Sequence, residues 1–329
     1  MIWLTWRQAR VQAISVFAGL AFITVVLLVT RPALEATSEF SDDEALYTAT
    51  LLAMYLLPAV LGVFWGVPMV SRELETGTHN VAWNQTVTRA RWLGTRLGAG
   101  ALTAMVATGL LSLVVSWWAS PIDAIAGTDP EASFEPRVAP LAFAARGIAP
   151  IGYAAFASVL GVVLGMLLRR TLAAMAVTLV VFTAVQVLVP TLVRGHALPA
   201  TEETVVITMD NIRGLSGRDG MLNKLTVEQP AGAWVLANET VDANGDVAAT
   251  LPNLSGCLPP PPTDRGAAPP DRIGVEQCFD RLTELGYRQR ITYQPASHFW
   301  PLQLIETAFF LALSGLLGWF CLRRIRLLH

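Results

Sequence analysis

The sequence predicts an all-α polytopic membrane protein: six transmembrane helices, with a small mixed α/β extracellular domain inserted between helices five and six. Three observations carry the prediction. Hydrophobic residues make up 53% of the chain and charged residues only 15%, a balance too apolar for a soluble domain. Six runs with at most one charge reach the roughly 20 residues that a helix needs to cross about 30 Å of hydrocarbon. One long stretch, 194–298, breaks the apolar pattern with strand-like runs, turn clusters and prolines.

The runs cover residues 11–30, 46–70, 97–119, 147–168, 171–193 and 299–322. The second contains Pro58 and Pro68, and the sixth carries one charge, Glu306. Each must be helical, because a backbone in lipid has to satisfy its own hydrogen bonds. Only Arg169 and Arg170 separate the fourth run from the fifth. Burying them at mid-membrane would cost roughly 2.5 to 3.5 kcal/mol each, so they mark a tight turn at a surface.

Arginine placement orients the bundle. With a cytoplasmic N-terminus, the inner face receives Arg7, Arg10, Arg72, Arg89, Arg91, Arg96, Arg169, Arg170, Arg323, Arg324 and Arg326. The outer loops then hold Glu35, Glu39, Asp42, Asp43, Glu44, Asp123, Asp129, Glu131 and Glu135. The positive-inside rule selects that topology: a multi-pass protein of the plasma membrane with both termini cytoplasmic and 194–298 extracellular. No small-residue cleavage site follows the first run, so the N-terminus reads as retained. Trp3 and Trp6 fall on one face of a short interfacial helix ahead of span one, or simply join the aromatic belt. Three regions result: 1–193, with a cytoplasmic loop at 71–96; 194–298; and 299–329.

Within 194–298, residues 204–208 and 233–236 read as strands, 242–246 as a hairpin turn, and Pro259 to Pro262 with Pro269 and Pro270 as a stiff exposed loop. Residues 276–285 suit a short helix. Cys257 and Cys278 flank the proline loop, and a disulfide between them, which can persist outside the cell, is expected; two free thiols or a metal site are the alternatives.

Signatures of catalytic or metal chemistry are mostly absent from the sequence. The single lysine, Lys224, belongs to no glycine-rich phosphate loop, the four histidines lack zinc-ligand spacing, and no nucleophile elbow occurs. No catalytic, metal or cofactor site of its own is expected. An enzyme would have to draw on Asp210, Asp242 and Asp246, external acids without a recognisable pattern. The near-zero net charge and the arginines already used by topology give no support to nucleic-acid binding.

What remains is the charged connection between spans two and three. Arg72-Glu73-Leu74-Glu75-Thr76-Gly77-Thr78, a stretch through Val81-Ala82-Trp83, and Val87-Thr88-Arg89-Ala90-Arg91-Trp92 resemble the first intracellular loop of ABC-2 type exporter permeases. The six-span layout, the N-terminus, the tight turn after span four and the external polypeptide before span six extend the resemblance over some two thirds of the chain. The external insert is longer than in many relatives, and Thr86-Val87-Thr88 replaces the proline common before the Ser-Arg of this loop.

Membership would imply a permease subunit that pairs with a second copy, expected as a homodimer, and with a separate ABC ATPase that binds ATP and Mg. Arg72, Glu73, Glu75, Gly77, Thr78, His79, Trp83 and Arg89 would then form a coupling helix seated in the ATPase. The substrate would move outward by alternating access. The residues allow this on their own terms, since Gly77-Thr78 can break the helix and let a short segment turn along the surface. The alternative is a loop held on anionic headgroups by Arg89, Arg91 and Arg96, which the acidic pair Glu73 and Glu75 disfavours.

Two further features lie inside the spans. Ala157, Gly161 and Gly165, at four-residue spacing, allow close helix packing. Glu306, an acid in an apolar span, is functional by default: either a residue hydrogen-bonded to span five near Gln186, or a polar contact in the export path together with Gln186. Uncharged spans suit an amphiphilic or lipid-like substrate in contact with membrane lipid, although any bilayer demands the same. A non-transporting sensor or assembly subunit, using the external domain to bind a ligand or partner, is the competing reading.

Overall fold

The computed structural model describes residues 2–36, 44–76, 88–125, 134–218, 221–248, 251 and 279–325. These divide into two compact units, a helical one (1–126, 133–198 and 297–329) and a smaller one (127–132 and 199–296).

The helical unit contains six helices long and apolar enough to cross a membrane: Ala13–Arg31, Glu44–Glu75, Arg89–Trp118, Ala149–Leu168, Thr171–His196 and Ala296–Ile325. Helix α1 (Ile2–Ala36) is continuous. The turns bearing Trp3 and Trp6 are therefore not a separate helix: Arg7-Gln8-Ala9-Arg10 is a run of good helix formers that offers no break before span one.

Span two is α2 (Glu44–Val60), a π-helical segment Leu61–Gly66, and α3 (Pro68–Glu75). The π-segment has a local cause. Pro68 has no N–H to continue the ladder, and one widened turn absorbs the gap, with the Val67 N–H reaching back to the Gly62 carbonyl at 3.0 Å. Helix α4 (Arg89–Trp118) is span three and starts at Thr88, whose hydroxyl accepts from the Arg91 N–H. Two short helices follow, α5 (Ser120–Ile125) and α6 (Pro140–Ala145).

Span four, α7 (Ala149–Leu168), is the hub. Most of its residues are buried, and it packs against spans two, three, five and six. Its small residues permit this. A Cβ on Gly62 would lie 2.6 Å from the Ala157 carbonyl oxygen, and one on Gly165 3.0 Å from the Val67 carbonyl oxygen. The Ala157, Gly161 and Gly165 stripe thus seats the π-segment of span two backbone to backbone. Helix α7 ends at Arg169, which takes the left-handed conformation (φ 53°). After Arg170 comes α8 (Thr171–Leu188), extended through a π-segment Val189–Val193 around Pro190 and a 3-10 turn Arg194–His196. Span six is α9 (Phe299–Ile325).

The smaller unit is built on antiparallel strands: β1 (Thr201–Val205), β2 (Ile212–Arg218), β3 (Met221–Val227), β4 (Trp234–Val241) and β5 (Arg288–Gln294). One sheet has the order β1-β5-β4, and β2 pairs with β3 in a second. Ile207, Leu225, Val227, Leu251, Phe279, Leu282 and Ile291 form their own apolar core. The first strand lies earlier than 204–208, which frees Ile207 to enter that core, and β4 runs well past 236. A helix covers 279–284 among the described residues. Gly286 ends it in the left-handed region (φ 87°), with the Tyr287 and Gly286 N–H groups bonded back to Leu282 and Thr283. Cys257 and Cys278 lie outside the described residues.

Candidate functional site

The charged side chains described in the helical unit collect toward its helix ends. At one end stands the charged connection. Glu73 Oε1 lies 2.6 Å from Arg96 Nη2, which joins the end of span two to the start of span three. Arg96 also donates to the Met69 carbonyl at 2.9 Å and lies over the Trp92 ring at 4.7 Å. Glu75 faces elsewhere: its Oε2 accepts from the Thr171 hydroxyl at 2.6 Å and from the Thr171 N–H at 3.2 Å. Ser71 Oγ is 3.0 Å from the same threonine hydroxyl. Arg72 is exposed and Arg89 half-buried at the base of the connection. Gly77, Thr78, His79 and Trp83 lie outside the described residues, so the sequence-derived set is seen only at its roots.

At the other end is a buried ion pair. Arg194 donates through Nε to Glu306 Oε2 at 2.8 Å and through Nη2 to Oε1 at 2.9 Å. Its Nη2 also reaches the Tyr153 hydroxyl at 3.1 Å, and its Nη1 the Pro140 carbonyl at 3.1 Å. Tyr153 in turn donates to Glu306. The guanidinium carbon sits 4.1 Å from the Phe143 ring centroid, and Tyr55 donates to the same Pro140 carbonyl at 3.0 Å. Side chains from spans two, four, five and six and from α6 thus converge on one fork. The two-point geometry lets the pair survive burial, with the Arg194 side chain 0% and Glu306 7% exposed.

The neighbouring loop is stapled similarly. Gln303 accepts from the Ile148 and Ala149 N–H groups and donates to the Phe143 and Arg146 carbonyls. Arg146 grips Asp123 with two bonds of 2.7 and 2.6 Å.

Glu306 therefore meets Arg194 and Tyr153, whereas Gln186 turns its amide to the Tyr55 carbonyl at 3.4 Å. Sequence reasoning missed Arg194 by ending span five at Val193 and assigning the arginine to the inserted domain. The π-segment around Pro190 and the 3-10 turn keep it within the helical unit. A usable signal existed: a lone acid inside an apolar span needs a cation, and Arg194 closes the preceding span.

In the smaller unit Glu228 pairs with Arg213 and Glu239 with Arg290, while Asp242 serves a turn. Asp242 accepts from the Asp246 N–H at 3.0 Å and the Asn244 N–H at 2.8 Å, bonds that hold its carboxyl below the usual carboxylate range. Among the described residues no three His, Cys, Asp or Glu side chains are placed to hold a metal.

Six helices long and apolar enough to cross a membrane define an integral membrane protein of polytopic α-helical class. A family model described as "ABC-2 membrane transporter related" matches residues 3–194, more than half of the chain. The chain belongs to this family and is a membrane subunit of an ABC-2 type transporter. Comparison with curated proteins and with solved structures returned no match.

Proposed function

We propose that the chain is the permease half of an ATP-driven exporter, in which residues 71–96 receive the movement of a separate ATPase. Family membership implies an ABC ATPase partner in general. The observation that carries the finer reading is the construction of the loop's base. Glu73 and Glu75 leave the same short helix, α3, toward two different spans, so the segment between Thr76 and Thr88 is rooted in both span three and span five. A loop resting on headgroups needs no such roots, and its acids would be repelled there. ATP and Mg belong to the partner; this chain contributes the path. The inserted unit faces the exterior, both termini the cytoplasm, and two copies complete the pore. The uncharged spans suit an amphiphilic cargo.

Co-purification tests the assignment. The full-length chain should capture an ATP-binding subunit from its native membrane, and Thr78→Asp should abolish the capture while leaving the yield of folded chain unchanged. Persistent failure of the wild-type chain to hold any nucleotide-binding subunit would overturn the exporter reading in favour of a sensor built on the inserted unit.

A further inference from the structure

We propose that Glu75 is the positioning residue that hands movement of the 77–87 segment to span five, by capping the first turn of α8 from a neighbouring helix. The inference rests on the coupling reading above and adds the element that receives the motion.

The first N–H groups of a helix have no intrahelical partners. Arg170, at the N-cap of α8, supplies no side-chain bond. The cap comes instead from α3, where Glu75 Oε2 takes both the N–H and the hydroxyl of Thr171, at 3.2 and 2.6 Å. A carboxylate suits the place, because the positive end of the helix dipole favours negative charge. Ser71, one turn earlier on α3, adds its hydroxyl to the same threonine at 3.0 Å. Span five has little slack at this point, since only Arg169 and Arg170 tie it to span four. Residues i and i+2 of a helix do not share a face. Glu73 therefore cannot duplicate Glu75, and it is committed to Arg96 on span three. The acidic pair around Leu74 is thus two separate links, and the one made by Glu75 leads into span five.

Amide hydrogen exchange on the full-length chain, assembled with its ATPase in lipid nanodiscs and trapped with ADP and vanadate, tests this. In the wild type, trapping should change exchange in 77–87 and in 174–176 alike. The latter are the first α8 amides with helical acceptors (Ala174 N–H to the Arg170 carbonyl at 3.0 Å) and should change by about tenfold, the scale set by one hydrogen bond to a charged group. With Glu75→Ala the response of 77–87 should persist while that of 174–176 falls below about twofold. Thr171→Pro is the second variant. Proline is accepted at the first position of a helix and deletes both donors, and Arg170 already has the extended backbone that a following proline requires (φ −131°, ψ 113°).

An unchanged response of 174–176 in both variants, or none in the wild type while 77–87 responds, would overturn the proposal and leave the coupling reading standing. Loss of ATPase binding by both variants would assign Glu75 to docking and overturn it as well. Failure of the wild type to bind an ATPase would remove the coupling reading and this inference together.

Discussion

Replacing Glu306 by leucine should cost the helical unit about 3 to 5 kcal/mol, the range for removing one partner of a buried ion pair. The structure places the cost there because solvent screens almost nothing: the Arg194 side chain is 0% and Glu306 7% exposed. Three bonds end on this carboxylate, two from Arg194 and one from Tyr153. The opposite deletion, Arg194→Met, should cost less, about 1 to 3 kcal/mol, because a stranded carboxylate can take up a proton whereas a stranded guanidinium cannot release one. The double variant should fall near the Arg194→Met value, and adding Tyr153→Phe, which removes the orphaned hydroxyl, should bring stability close to wild type. The assay is a denaturing-detergent titration of the purified chain, followed by tryptophan fluorescence and circular dichroism and read as a double-mutant cycle. The reasoning is refuted if Glu306→Leu costs under about 1 kcal/mol, as an exposed pair would, or if the two single effects add to within about 0.5 kcal/mol.

The remaining predictions concern backbone packing and pH. Gly161→Ala should destabilise by about 1 to 3 kcal/mol in the same titration, because the added Cβ would stand 3.0 Å from Val67 N and 3.2 Å from the Gly66 carbonyl carbon. Gly98→Ala, with nothing within 4 Å, should be neutral or mildly stabilising. In the smaller unit, the Asp246 and Asn244 N–H bonds depress the folded pKa of Asp242, so the turn's stabilisation is present above the unfolded value and lost as pH falls through the folded one. Exchange at the Asn244 and Asp246 amides, corrected for intrinsic rates, should accelerate below about pH 4. Asp242→Ala should remove that pH dependence, and a dependence that persisted would assign it to another group.

The membrane part was legible because lipid leaves so few choices: an uncharged run of sufficient length must be a helix, and the six runs correspond to the six long helices. Boundaries were less legible wherever a proline reshapes the ladder rather than ending it. Pro190 was read inside a span that stopped at Val193, yet the widened turn around it carries the helix on to His196 and brings Arg194 into the bundle. The partner of Glu306 was missed for the same reason: with span five ended at Val193, Arg194, 112 positions away, fell to the inserted domain. In the smaller unit the pair β2 and β3 was missed although Asp219-Gly220, a strong hairpin signal, stands between them. Its strands mix apolar and polar residues without strict alternation, Leu215 and Leu236 being exposed, and such runs carry little periodicity to read.

Span five draws these observations together. Its near end is capped by Glu75 through Thr171, and its far end is locked by Glu306 and Tyr153 through Arg194. Between them, Ala174, Thr178 and Phe182 are the buried residues of α8, while Leu172, Val180 and Val187 are well exposed. Both ends of the helix thus have discrete, directional, charge-assisted partners. On the coupling reading proposed above, displacement at one end is carried along the helix to the other. The ion pair at Arg194 is the far anchor against which a movement entering through Glu75 would act. The Glu306→Leu, Arg194→Met and Tyr153→Phe variant, which restores stability but removes the anchor, should therefore preserve the exchange response at 174–176 and abolish any response at 194–196. Retention of both would mean that the helix moves as a body without need of the pair.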